Sequence, residues 1–167
     1  PLAKIKGLPM IVHVVNRAKE SQVGEVIVAT PDNEIVEVVE KNGGQAILTQ
    51  PDHPSGSDRV CEVYLKNFKN DTDLIINLQG DMPNINPNSI LKLEKHMRKN
   101  DCDIGTLASI LEKNELADPN IVKVQVDQDM TISNFLDAKD FFRTKKDLKN
   151  IKIYHQIGIY AFTKDAL

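Results

Sequence analysis

No block of basic residues, no long apolar run and no close cysteine pair occur in this chain of 167 residues. The formal net charge is -3. Without a basic cluster, that charge argues against a broad nucleic-acid surface and against docking on an anionic membrane. It leaves room for a nucleotide, which a few local groups can hold. No apolar stretch approaches the roughly 20 residues of a membrane-spanning helix. Cys61 and Cys102 lie far apart and lack CxxC partners, so they read as reduced core thiols of a reducing compartment. HExxH, GxSxG, Walker A and any Cys/His metal cluster are missing. The absence of GxGxxG argues against a dehydrogenase. There is no internal repeat and no linker. The start, Pro1-Leu2-Ala3-Lys4, is neither an initiator methionine nor a signal peptide. The sequence stops where Thr163–Leu167 begins to look helical, so the expectation is a piece of a longer protein.

What is present reads as one α/β domain. Pro9 suits the first turn of a helix running to Glu20, with Met10, Ile11, Val14, Val15 and Ala18 on one face. Glu25–Thr30 is a β-branched strand. Asp32 follows Pro31 as a candidate cap for a helix that Gly43-Gly44 ends. Gln45–Thr49 is the next strand. Ser55-Gly56-Ser57-Asp58 fits a capping box, with Asp in place of the usual Glu, ahead of a helix carrying Val60, Val63, Tyr64 and Phe68. Leu74–Leu78 reads as a strand buried on both faces, the pattern of a parallel sheet. Asn86-Pro87 opens another helix, and Asp103–Leu111 is extended. This β-α order is that of a doubly wound sheet. After residue 118 the pattern changes. Ile121–Val126 alternates like a strand with one wet face, Thr131–Leu136 is expected to pair back on it, Asp137–Asn150 reads as a charged mobile loop, and Ile151–Phe162 holds further strands.

The densest chemistry lies at Gln79-Gly80-Asp81, directly after the Leu74–Leu78 run. Ligands of open α/β sheets bind beyond the carboxyl ends of the strands. Gly80 permits a sharp turn or a close backbone approach. Asp81 offers a carboxylate suited to a hard cation such as Mg2+, with a loop cap as the alternative. The second cluster is His53-Pro54-Ser55-Gly56-Ser57-Asp58-Arg59. A helix start offers free N–H groups to an anion. The alternative there is a plain cap, with Arg59 paired to Asp58 or Glu62. His13 and His96 belong to amphipathic helices and read as packing or solvent contacts. His155 and Gln156 alternate on a late strand, so one faces a cleft and the other the core or solvent.

Together these segments resemble the 3-deoxy-manno-octulosonate cytidylyltransferases. The resemblance runs through Pro1–Ile11, Val28–Asp32, His53–Arg59, Asn77–Pro83, Pro119–Val124 and Ile157–Phe162, in the family's order. It implies a single α/β nucleotidyltransferase domain, Rossmann-like and three-layered, with a mixed, mostly parallel sheet. It also implies a first strand and basic phosphate loop ahead of Pro1, and a C-terminal part beyond Leu167. The implied reaction joins CTP and 3-deoxy-D-manno-octulosonate (Kdo) into CMP-Kdo and pyrophosphate, for lipopolysaccharide synthesis in the cytoplasm. Mg2+ is the implied cofactor. Asp81 matches the metal-binding aspartate. Gln79 matches a glutamine that contacts nucleotide and sugar, and Asp81 and Gln79 together form the implied catalytic pair. Ser55 and Gly56 match the cytosine and ribose pocket, with Arg59 and Asp32 assigned to the nucleotide side. Tyr160, with Gln156 or His155, matches the strand facing the sugar acid. The family is commonly dimeric, and the Ile121–Val126 strand with its neighbours is the expected interface. Met82 stands where the family usually has Glu. Gln156 stands where many members have His, and Asn134–Phe142 lacks the usual Ser-Arg-x-x-Ile-Pro stretch. Two alternatives stay open: a cytidylyltransferase for another acid sugar, and a non-catalytic nucleotide-binding or dimerising module.

Overall fold

The computed structural model describes residues 1–131, 135–144 and 151–167. They fall into two units, Pro1–Gly105 with Ile159–Leu167, and Thr106–Gly158.

The first unit opens with a hairpin of β1 (Lys4–Ile5) and β2 (Leu8–Pro9), which the sequence pattern had not suggested. Its turn residues, Lys6 and Gly7, both take positive φ, 48° and 88°. That pairing matches the twist of a tight hairpin. Helix α1 (Met10–Glu20) follows, and Pro9 precedes its first turn rather than lying inside it. Backbone carbonyls satisfy the free helix start: Met10 N–H donates to Ala3 O at 2.8 Å and Ile11 N–H to Pro1 O at 3.0 Å.

Strand β3 (Ile27–Thr30), helix α2 (Asn33–Lys41) and strand β4 (Gln45–Leu48) form a β-α-β unit, with β3 and β4 parallel. Ile11 and Val12 of α1 meet Ile35 and Val39 of α2 over Val28 and Ala46. Each such burial contributes about 1.5–3 kcal/mol. Asp32 precedes α2, but its side chain makes no cap hydrogen bond. The capping role expected for it is therefore not exercised. Gly43 ends α2 as expected, at φ 74°.

Helix α3 (Gly56–Asn67), strand β5 (Leu74–Leu78) and helix α4 (Pro87–Lys99) complete the unit together with the end of β9 (Lys152–Thr163). Asn86 caps α4 by accepting from Asn88 N–H at 3.0 Å. Strand β5 pairs antiparallel with β9, from Leu74↔Thr163 to Leu78↔Ile159. This corrects the parallel pairing expected for that run. An apolar run reports burial and says nothing of strand direction. The β5 residues are mostly half-buried, with Asn77 the buried one.

In the second unit, β6 (Ile104–Ser109) pairs with β9. Strand β7 (Lys123–Val126) lies between β8 (Asp140–Phe142) and β9, antiparallel to both. Lys123, Val124 and Val126 are all buried, so the expected wet face of this strand is absent. The Lys123 ammonium donates to Asp118 O at 2.5 Å and Arg143 O at 2.7 Å, which is how a lysine occupies a buried position. The strand that pairs back is Asp140–Phe142, inside the segment expected to be a loop. Residues 132–134 of the expected partner strand, and 145–150 of the expected loop, lie outside the described residues. The α/β class is as expected and both pairing directions occur. The parallel share is smaller than expected: among the described pairings with an assigned direction, β3–β4 is the parallel one.

Candidate functional site

In the first unit, Ser55 caps α3. Its hydroxyl accepts from Asp58 N–H at 3.3 Å and donates to the Asp58 carboxylate at 2.5 Å. Ser55 therefore caps the helix, but the Asp58 carboxylate takes the Ser55 hydroxyl and not its backbone N–H, so the reciprocal half of the expected capping box is not made. The next residues face β5. Asn77 Nδ2 donates to Ser57 Oγ at 3.3 Å. A methyl group on Gly56 would lie 4.0 Å from the same amide. So the helix start that carries Ser55 and Gly56 is tied to the strand that leads into Gln79-Gly80-Asp81. A lone Asn in an apolar run was the available signal for this tie, and the sequence reading passed over it.

Tyr160 stands directly across from Asn77 on β9. Opposed residues of an antiparallel pair share a face, so Tyr160 lies on the Asn77 side of the sheet. Its ring stacks on Phe162 at 6.2 Å between centroids. Gln79 and Asp81 are exposed just past the strand end. Gly56, Arg59, Asn77, Gln79 and Gly80 line one groove of about 820 Å3, which continues along β3 and β5. Asp32 lies apart from them, in a shallow depression with Pro1, Leu2 and the start of α2.

Arg59 and Glu62, about one turn apart on α3, both reach back to the connector between β4 and α3. Arg59 Nη1 donates to Thr49 Oγ1 at 2.5 Å and to Gln50 O at 2.8 Å, and Nη2 donates to Pro51 O at 3.3 Å. Glu62 Oε2 accepts from Gln50 N–H at 3.0 Å and lies 2.5 Å from His53 Nε2, while its Oε1 accepts from Lys66 Nζ at 2.6 Å. The Lys66 ammonium first, and the His53 ring second, hold the Glu62 carboxyl down at about 2. Arg59 thus pairs with neither Asp58 nor Glu62, contrary to the expected alternatives. Glu62 was missed as a site-shaping residue, although its position on the Arg59 side of the helix was readable from the spacing.

Among the described residues, no group of three His, Cys, Asp or Glu side chains is placed to hold a metal. A single exposed carboxylate such as Asp81 fits Mg2+, which keeps several waters and takes its other ligands from substrate phosphates.

In the second unit, Gln156 is buried and its amide donates to Thr106 Oγ1 at 2.8 Å and to Ile157 O. The half-buried His155 places Nδ1 3.0 Å from Glu115 Oε1. Of the alternating pair, Gln156 therefore takes the inward position. Among the described residues, no helix is long and apolar enough to cross a membrane.

The cytidylyltransferase family model matches residues 1–167. The 3-deoxy-manno-octulosonate cytidylyltransferase of Methylorubrum extorquens strain PA1 is 40% identical over 170 residues, covering 100% of this chain and 68% of the relative. A solved CMP:2-keto-3-deoxy-manno-octonic acid synthetase in complex with CTP superposes with a TM-score of 0.83 at 37% identity, covering 99% of this chain and 68% of that one. The 4-diphosphocytidyl-2C-methyl-D-erythritol synthase of Anaerococcus prevotii DSM 20548 superposes with a TM-score of 0.59 at 16% identity, a likeness of fold.

Proposed function

The chain belongs to the cytidylyltransferase family, and on that premise we propose that it transfers CMP from CTP to Kdo, releasing pyrophosphate. The observation that carries this reading is the Ser57–Asn77 tie. It sets a helix start with donor groups beside a strand end bearing a glutamine and an aspartate. A nucleotide needs those two features side by side: neutral donors for base and ribose, and a carboxylate near the triphosphate.

The sugar's anomeric hydroxyl attacks the α-phosphorus in line. The new O–P bond forms as the bond to the β-phosphate oxygen breaks, pyrophosphate leaves, and the hydroxyl proton is lost. Such transfers depend on positioning and charge neutralisation more than on covalent help from the protein. Ser55 and Gly56 hold the cytosine and ribose, Gln79 orients nucleotide and sugar, and Tyr160 faces the sugar acid. Asp81 holds Mg2+, which neutralises the triphosphate charge when bound. With this reading go lipopolysaccharide synthesis, a cytoplasmic setting and a homodimer. The exposed apolar side chains Ile110, Leu116 and Phe141 of the second unit favour the dimer.

A second reading keeps the chemistry and changes the sugar. It is favoured by Gln156, whose amide is already engaged with Thr106 and Ile157. The test is pyrophosphate release by the full protein with CTP, Mg2+ and Kdo, beside a panel of other acid sugars. Release with Kdo alone supports the first reading, and release with a different sugar alone supports the second. CTP binding without release in any mixture would favour a non-catalytic module.

A further inference from the structure

We propose that Arg59 and Glu62 are positioning residues. From α3 they clamp connector 49–53 and so preset the loop that delivers Ser55 and Gly56 to the nucleotide. This rests on the CTP reading above, and it replaces a direct ligand role for Arg59.

The connector joins β4 to α3 and has no regular structure of its own over Gln50–Ser55. Such a segment fluctuates unless its backbone groups are bonded. Here they are bonded in succession. The Arg59 guanidinium takes the Thr49 hydroxyl and the carbonyls of Gln50 and Pro51. The Glu62 carboxylate takes the Gln50 amide and the His53 ring. Thr49 is itself buried and anchored, its N–H donating to Thr30 O at 2.9 Å. Glu62 is largely enclosed, its side chain 10% exposed. Both grips are charged-group hydrogen bonds, the stronger class. A planar guanidinium spans separate acceptors in a way that a lysine ammonium cannot. A loop already ordered before the ligand arrives does not spend binding energy on becoming ordered.

The test uses Glu62→Ala, Glu62→Gln, Arg59→Ala and Arg59→Lys in the full protein. Binding of CTP and of cytidine is measured by titration, and Kdo-dependent pyrophosphate release by steady-state kinetics. Hydrogen exchange reads the Gln50 amide. Glu62→Ala is expected to weaken CTP and cytidine by the same factor, about tenfold, the size of one lost charged-group hydrogen bond. KM for CTP rises with it, while kcat and KM for Kdo move little. The Gln50 amide exchanges faster. Glu62→Gln keeps an acceptor for that amide and restores most of the affinity. Arg59→Lys stays as impaired as Arg59→Ala. If Arg59→Ala weakens CTP while leaving cytidine unchanged, Arg59 is a phosphate ligand and the proposal falls. Unchanged exchange at Gln50 in Glu62→Ala also overturns it. If the unmodified protein binds no CTP, the functional reading fails, and the exchange data still decide the clamp.

Discussion

Lys123 shows how one side chain can reverse the meaning of a pattern. Its alternation with valines suggested a solvent-facing lysine, yet it is fully enclosed, with its ammonium on two backbone carbonyls. Removing it takes a charged donor from both carbonyls, of which Asp118 O keeps the Ile121 N–H at 3.3 Å, and opens a void. Lys123→Ala is expected to lower stability by about 2–4 kcal/mol, and Lys123→Met by less because the volume is kept. Denaturant unfolding checks this, and a Lys123→Met midpoint equal to the wild type would show that the two bonds contribute nothing. Asp81 is the opposite case. It is exposed, so Asp81→Ala is expected to leave the melting temperature nearly unchanged while lowering pyrophosphate release about a hundredfold or more. Near-normal turnover would remove it from the metal site. Ser55 has both duties. Ser55→Ala is expected to reduce stability by about 1 kcal/mol through the lost cap, and to weaken CTP binding besides. A lower melting point with unaltered CTP affinity would leave only the cap.

Elements here are placed by their ends as much as by their apolar faces. Helix α2 stops where Gly43 adopts a positive φ and Gly44 N–H returns to Val39 O at 2.9 Å. Gly44 is needed for a second reason: a methyl group there would lie 2.6 Å from Val39 Cγ1 and 3.5 Å from Val15 Cγ1. Gly44→Ala is therefore expected to cost about 1–3 kcal/mol by forcing α2 and β4 apart, read as a lower thermal midpoint. An unchanged midpoint would mean that Val39 rotates away freely. The helices and most of their ends were legible in the chain, because Ser55, Asn86-Pro87 and Gly43-Gly44 act through local geometry, while Asp32 precedes α2 without capping it. The β1–β2 hairpin was not, since its strands are too short to show a period and Lys6 gives no hint of a positive φ. Strand β8 was hidden in the same way, as Asp140-Phe141-Phe142 within a charged stretch.

For the molecule as a whole, the depressed Glu62 carboxyl couples stability to acidity. Its folded value is about 2 against an ordinary 4.5. The unfolded chain therefore binds this proton more readily, so the stabilisation is complete above the ordinary value and is lost as pH falls toward 2. Melting temperatures of wild type and Glu62→Gln measured between about pH 6 and pH 2 are expected to converge at the acid end. A constant difference across that range would mean that Glu62 does not carry the linkage. The same carboxylate holds the loop beside the candidate nucleotide site, so acid stability and CTP affinity should fail together in Glu62→Ala.

The order of the four helices and the longer strands, the Ser55 cap, the Gly43 stop, the strand-end Gln79-Gly80-Asp81 and the likeness to the cytidylyltransferases could be read from the chain. Each depends on residues close together in sequence or on a motif several residues long. Pairing direction, the burial of Lys123, the inward turn of Gln156 and the hold of Arg59 and Glu62 on connector 49–53 could not. Each depends on a partner brought near only by folding: β9 against β5, Arg143 O against Lys123, Thr106 against Gln156, Gln50 against Glu62. Periodicity records how much of a residue is covered, while the folded chain decides which neighbour covers it and which hydrogen bonds remain for a ligand.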